Sequence, residues 1–305
     1  MIVISYFTKI ISLFIICSIT LVESFNCPLT PNPHEALQTF IIHLSPTASR
    51  DVINNHFAML TSCFNKKISS DLTIQSSNPS IIRDVSFGSF NCYIGKFDPS
   101  DAARLANLPE VLNIERDRAF RINAVLASGP PTTNAPVVPS KTPINLDRID
   151  QPHRPLNGKY TFPKSAGSKV NVYIIDTGIN VNHTEFGGRA TLGPVFCKGC
   201  PNKDDLGMSI AGPKSDVLNN ATEEVGKKGV HVVVGAGNFG IDACEVSPAS
   251  ALNAITVGAT DTDTDNDNIA SFSNIGKCVN IFAPGTDITA AGNKSPTDLL
   301  TASGT

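Results

Sequence analysis

Four short runs rich in valine and isoleucine constrain this chain more than any other feature: Val170 to Ile175, Val230 to Val234, Ala254 to Val257 and Val279 to Phe282. Each is closed within a few residues by Gly, Asp or Asn. Continuous apolar strands that do not alternate with polar residues belong to a parallel sheet covered on both faces. A helical stretch from Ser215 to Lys228 lies ahead of the second run and would make a right-handed crossover. In such a sheet the chemistry collects at the carboxyl ends of the strands, where Asp176 and Asn238 both stand.

The chain ahead of these runs reads differently. A strand-like Phe40 to Leu44 is followed by a helical stretch from Asp51 to Cys63. A second cycle has a strand from Phe90 to Phe97, a helix opening at Pro99-Ser100-Asp101 with Asp and Ser as capping residues, and a strand from Val111 to Glu115. Two βαβ-like halves predict a split sandwich of helices on a sheet, a small α+β domain of the ferredoxin-like type over residues 26–127. From 128 to 143 five prolines rule out helix and central strand, so this stretch is a linker, and a second domain covers 144–305.

Before all of this, Lys9 leads an uncharged apolar run from Ile10 to Val22 that is too short to span a bilayer. Val22 and Ser24 suit cleavage after Ser24, so residues 1–24 are expected to be a signal peptide. The secretory route implies an oxidising compartment, in which the cysteines favour disulfides. Cys17 leaves with the signal, and the pairing of Cys27, Cys63, Cys92, Cys197 and Cys200 is open from sequence. Asn182, Asn220 and Asn293 open glycosylation tripeptides. A net charge of −3, spread without blocks, gives no field for nucleic acid or an anionic membrane.

Asp176 follows an apolar strand and precedes Thr177-Gly178, and a buried carboxylate costs several kcal/mol, roughly, unless it finds a partner. By itself this is equally a turn-capping aspartate. Read together, Val172 to Ile179 with His183 to Arg189, Gly229 to Asn238, Ser247 to Ser250, Ala254 to Ala259, Phe272-Ser273-Asn274 and Phe282 to Gly285 resemble the blocks of subtilisin-like serine proteases, nearest the proteinase K and cerevisin branch. The first domain resembles that family's inhibitor-type propeptide. The fold implied is α/β, a parallel sheet with helices on both faces, here truncated and preceded by the propeptide domain.

The resemblance implies roles residue by residue. Asp176 matches the aspartate that orients the triad imidazole, and Asn238 the side-chain donor to the oxyanion. Ser209-Ile210-Ala211-Gly212 matches the edge segment that pairs with substrate backbone, with Ala236 and Gly237 beside it in the substrate cleft. Cys244 and Cys278, each inside a family-like block, are expected to form a disulfide. The expected partners are peptide or protein substrates and the chain's own propeptide or an intact relative. The expected location is extracellular, or the vacuole by the same route. No cofactor is required; calcium is common in the family, but one ligand position held there by Asp is Asn280 here.

Two departures bear on activity. The family's His-Gly-Thr-His block should precede the substrate-edge segment, yet Asn202-Lys203-Asp204-Asp205 runs straight into Leu206 to Ser209, and no histidine occurs between His183 and His231. The sequence closes on Thr301 to Thr305, matching the residues ahead of the nucleophile, with Ser303 out of register for that role. The chain is therefore expected to be catalytically inactive. The alternatives are a non-catalytic protein whose propeptide domain inhibits an intact subtilase, or an incomplete gene product.

Three other signals compete. Gly235 to Gly240 fits G-x-G-x-x-G with Asp261 downstream, but Pro248 and the absence of a helical period argue against the helix a dinucleotide needs. Asp261, Asp263, Asp265 and Asp267 alternate like a calcium loop, without its glycine or its terminal Glu. Cys197-Lys198-Gly199-Cys200 lacks a second ligand pair for zinc.

Overall fold

The computed structural model describes residues 27–29, 34–68, 79–118, 121–122, 125–126, 142–176, 178–194, 210–262 and 266–305. The expected signal peptide, all but the last two residues of the expected linker, Ser209 and the Cys197–Cys200 pair lie outside them. The chain divides into two compact units, Met1–Asp117 and Arg118–Thr305.

In the first unit, β1 (Gln38–Leu44), α1 (Arg50–Ile68), β2 (Ser80–Asp84), β3 (Asn91–Phe97), α2 (Pro99–Leu105) and β4 (Val111–Arg116) follow in order. The sheet runs β2-β3-β1-β4 with every neighbouring pair antiparallel. Each βαβ half is thus split by a strand of the other, as the two sequence cycles predict. Helix α2 starts where Pro99 pre-sets the first turn and the Asp98 carboxylate accepts from Asp101 N at 2.7 Å. The core joins Ile42, Leu44, Leu60, Tyr93, Phe97 and Leu105, all buried. A disulfide ties Cys27 to Cys63 on α1. Closing a loop of that length stabilises by about 4 kcal/mol on the chain-entropy account. Strand β2 was not anticipated: it is a mostly exposed edge strand carrying Arg83 and Asp84, so it lacks the apolar alternation that marks a strand.

The second unit begins with two short strands, β5 (Arg121–Ile122) and β6 (Val125–Leu126), then α3 (Ile144–Ile149), β7 (Ile210–Pro213), α4 (Asp216–Lys227), β8 (Val232–Gly235), β9 (Val246–Ser247), β10 (Ala254–Thr260), β11 (Ile281–Pro284), β12 (Ile288–Ala291) and β13 (Leu299–Ser303). Strands β8, β10 and β11 form a parallel sheet with β10 in the centre. Helix α4, capped by Ser215 Oγ on Leu218 N at 3.1 Å, packs on β8 and β10, while α3 packs on β11. This is the α/β core that the apolar runs imply.

One run departs from the expectation. Val170 to Ile175 belongs to no sheet, and all six residues are exposed. Its composition is that of a strand buried on two faces, but a strand exists only where neighbours take its backbone groups.

Candidate active site

Strand β8 runs out at Gly235 into Ala236, whose N–H donates to Val257 O at 2.8 Å and which is fully buried. The next residue turns the chain: Gly237 has φ +102, and a Cβ there would lie 2.5 Å from Asn274 Nδ2. Only glycine satisfies both the backbone angle and the close approach.

Asn274, fully buried, holds this turn from both sides. Its Nδ2 donates to Ala236 O at 2.8 Å, its Oδ1 accepts from Phe239 N at 3.0 Å and Ile241 N at 3.1 Å, and its own N–H donates to Gly237 O at 2.8 Å. Asn238 sits at the apex of the loop so fixed. No helix follows it; the chain makes a 3-10 turn at Ala243–Glu245, so the Gly235 to Gly240 pattern has no helix N-terminus to receive a phosphate.

The hairpin of β12 and β13 delivers the last residues to the same place. Thr305 N donates to Asn238 Oδ1 at 2.9 Å, and Gly237 N donates to Thr305 Oγ1 at 3.0 Å. Gly304 N donates to Gly285 O at 2.8 Å, and a Cβ on Gly285 would meet Gly304 O at 2.6 Å, which locks the terminal strand against the end of β11.

Strand β7, which holds three residues of the expected substrate-edge segment, is the middle strand of three, ordered β5-β7-β9. Arg121 faces Ala211 and Ile122 faces Ile210 on one side; Gly212 faces Ser247 and Pro213 faces Val246 on the other. Beneath it Ser247 Oγ donates to Asn219 Oδ1 at 2.8 Å and accepts from Ser215 N at 2.9 Å, and Asn219 Nδ2 donates to Ser250 Oγ at 2.9 Å. A few residues beyond Ile122 the same incoming segment pairs again: Val125 faces Ser303 and Leu126 faces Ala302, antiparallel to β13. Residues 121–122 therefore pair with the β7 edge, and residues 125–126 pair with the strand that leads to Thr305 and Asn238.

Asp176 stands half-buried at the end of the exposed 170–175 segment. The histidine nearest to it in sequence, His183, is buried with both ring nitrogens engaged: Nε2–H donates to Asp298 O at 2.7 Å and Nδ1 accepts from Glu185 N at 3.3 Å. His153 and His231 are exposed. Cys244 and Cys278 are joined. Asn182 is exposed, whereas Asn220 lies within α4 and its tripeptide hydroxyl, on the buried Thr222, donates to Leu218 O at 2.8 Å. Asn293 is half-buried beside Gly292.

Asn280, at the position of a possible calcium ligand, accepts Thr256 N on its Oδ1 at 2.7 Å, and no group of three or more His, Cys, Asp or Glu suited to a metal occurs among the described residues. Within the acidic loop Asp267 binds both Arg148 and Arg154 at 2.9 Å. Burial raises its carboxyl, but the hydrogen bonds and charges of the two arginines outweigh that and hold it below its ordinary value.

Sequence reasoning did not single out Asn274 as a clamp or Thr305 as a partner of Asn238. Their partners lie far off in the chain, and only the Phe272-Ser273-Asn274 block pointed that way.

The subtilase family model matches residues 192–305, and the peptidase inhibitor I9 model matches residues 39–123. The chain is 30% identical to a cuticle-degrading serine protease of Arthrobotrys oligospora, over 87% of this chain and 76% of that protein. It is 33% identical to alkaline protease 1 of Aspergillus clavatus (71% and 65%) and 35% identical to an extracellular serine proteinase of a Thermus species (67% and 60%). The chain thus spans about two thirds of these relatives' lengths.

Proposed function

Because the chain belongs to the subtilase family of serine proteases and carries an I9 propeptide, we propose that it is a secreted, zymogen-type member that holds a peptide strand in its cleft and does not hydrolyse it. In this reading Asp176 is the triad aspartate, Asn238 the oxyanion donor, and Ser209 to Gly212 with Ala236 and Gly237 the substrate edge. The observation that carries it is the pairing of residues 121–122 with β7 and of residues 125–126 with β13, the strand addition by which a peptide is bound through its backbone.

Inactivity follows from the base. A serine hydroxyl needs an imidazole to take its proton, and His183 already spends both nitrogens on Asp298 and Glu185. The test is the secreted chain against casein and a peptide anilide, with fluorophosphonate labelling in parallel. No turnover and no label are expected; stoichiometric labelling of any serine would overturn the reading.

A second reading rests on a different observation, the large closed core and complete four-stranded sheet of the first unit. Such a unit inhibits an intact subtilase in trans. Progress curves of an active relative with increasing amounts of the segment 26–134 test it. A rate unchanged at micromolar segment, with the segment folded by circular dichroism, would rule it out.

A further inference from the structure

We infer that Asn157-Gly158 is a latent self-modification site, at which Asn157 deamidates through a cyclic imide, and that the buried Asp147 carboxylate sets its rate by holding the attacking nitrogen. Asn-Gly occurs once in the chain. Both residues are exposed, and Gly158 has φ +74 with open space where a Cβ would lie, so no side chain crowds its nitrogen. In the reaction the Gly158 nitrogen bonds to Asn157 Cγ while the Cγ–Nδ2 bond breaks. Nδ2 leaves as ammonia, taking the proton that the Gly158 nitrogen gives up. Water then adds to either carbonyl of the five-membered ring and reopens it to aspartate or isoaspartate. Water is the one co-reactant, and nothing is oxidised or reduced.

The folded structure restrains both reacting groups. Gly158 N donates to Asp147 Oδ2 at 2.7 Å, and Asn157 N donates to the other oxygen, Oδ1, at 3.2 Å. Asp147 lies on α3 and is only 4% exposed. To attack, the Gly158 nitrogen must give up its proton. A carboxylate at this distance holds that proton in a charge-assisted hydrogen bond and opposes negative charge on the nitrogen. On the other side, Asn157 Oδ1 accepts Lys159 N at 2.9 Å, an Asx turn that fixes the side chain's orientation. Thr142 Oγ1 donates to Gly158 O at 2.8 Å and ties the loop once more. Asp150 Oδ2 accepts Thr161 N, which anchors the same loop at a point away from the reacting atoms. The site plays no part in the peptide-binding reading of the β7 edge and stands independently of it.

The experiment incubates the secreted chain at mildly alkaline pH and follows residue 157 by peptide mapping with mass spectrometry, isoaspartate being counted by isoaspartyl methyltransferase labelling. Conversion in the folded wild-type chain is expected to be at least about tenfold slower than in the same chain unfolded in urea, the effect of one hydrogen bond to a charged group. Asp147→Ala should raise the rate in the folded chain about tenfold or more. Asp150→Asn, which loosens the loop and leaves Gly158 N on Asp147, should stay near the wild-type rate. Asn157→Gln should abolish the signal. Should Asp147→Ala lose the native circular dichroism, Asp147→Asn takes its place: it keeps the shape and one acceptor oxygen, removes the charge, and should still accelerate conversion severalfold. A folded wild-type chain that converts as fast as the unfolded one, Asp147 variants no faster than wild type, or an Asp150→Asn chain as fast as Asp147→Ala would overturn the assignment.

Discussion

Thr305 donates its backbone N–H to Asn238 Oδ1 at 2.9 Å, so Thr305 is fastened to the side chain proposed as the oxyanion donor. Gly237 N, on Thr305 Oγ1 at 3.0 Å, fixes the threonine side chain as well. An atom bonded to the Thr305 carbonyl therefore starts out beside Asn238. In the proposed reading this joins the oxyanion donor to the strand that approaches it, and what that reading lacks is a base.

The first prediction tests the proposed absence of a base. Adding one serine after Thr305 should give no fluorophosphonate labelling above the unextended chain, because the hydroxyl meets an oxyanion donor and no imidazole. Labelling and mass spectrometry of the two forms side by side check it.

The second prediction concerns the clamp. Asn274→Ala strips the partners from Ala236 O, Phe239 N and Ile241 N inside a buried loop, a loss of about 3 kcal/mol. Local opening should bring the Phe239 and Ile241 amides to exchange with solvent about a hundredfold faster. Asn274→Asp keeps the acceptor for both amides and should fall between the two. Hydrogen exchange resolved by residue distinguishes them.

The third prediction is a pH slope in the first unit. His43 lies buried in β1, with its ring 4.5 Å from Phe90 and with Cys92 and Asn113 facing it on the neighbouring strands. Burial pushes its imidazole below the ordinary 6.5, and the nearby Glu115 carboxylate offsets this only in part. The unfolded chain then takes up the proton first. The unit is at full stability above about pH 6.5 and loses stability as pH falls from there towards the lowered value. His43→Gln should flatten that slope, measured by hydrogen exchange of β1 and β3 in the intact chain.

The fourth prediction chooses among the glycosylation tripeptides. Asn182 and Thr184 are both exposed, while the Thr222 hydroxyl is turned into α4 and Pro296 follows the Asn293 tripeptide. The secreted chain should carry one glycan, removed by Asn182→Gln and kept in Asn220→Gln. Gel mobility before and after enzymatic deglycosylation reads this.

Much of the fold is legible in the chain because local pattern and final environment agree. Ile255 and Val257 predict a strand and occupy the central one; the stretch from Ser215 to Lys228 predicts a helix, and one runs from Asp216 to Lys227. Legibility fails where the deciding partner is remote. Nothing near Asn274 announces that its amide will close on Ala236, 38 residues away. Strand β2 hides because an edge strand needs no apolar alternation. Val170 to Ile175 misleads in the opposite sense: its residues are those of a doubly covered strand, and composition carries no information on whether the covering exists.

The paired residues of β5 and β6 are covalently tied to the unit they lie on, and this makes them a ligand of fixed stoichiometry. Only the stretch between Leu126 and Thr142 separates them from the first described helix of that unit. A covalent tether holds its ligand at an effective concentration of order millimolar. A free peptide of equal intrinsic affinity must reach that concentration before it displaces half of the resident strand. One cut between Leu126 and Thr142 converts the unimolecular competitor into a bimolecular one, and occupancy of the β7 edge then becomes a matter of dilution.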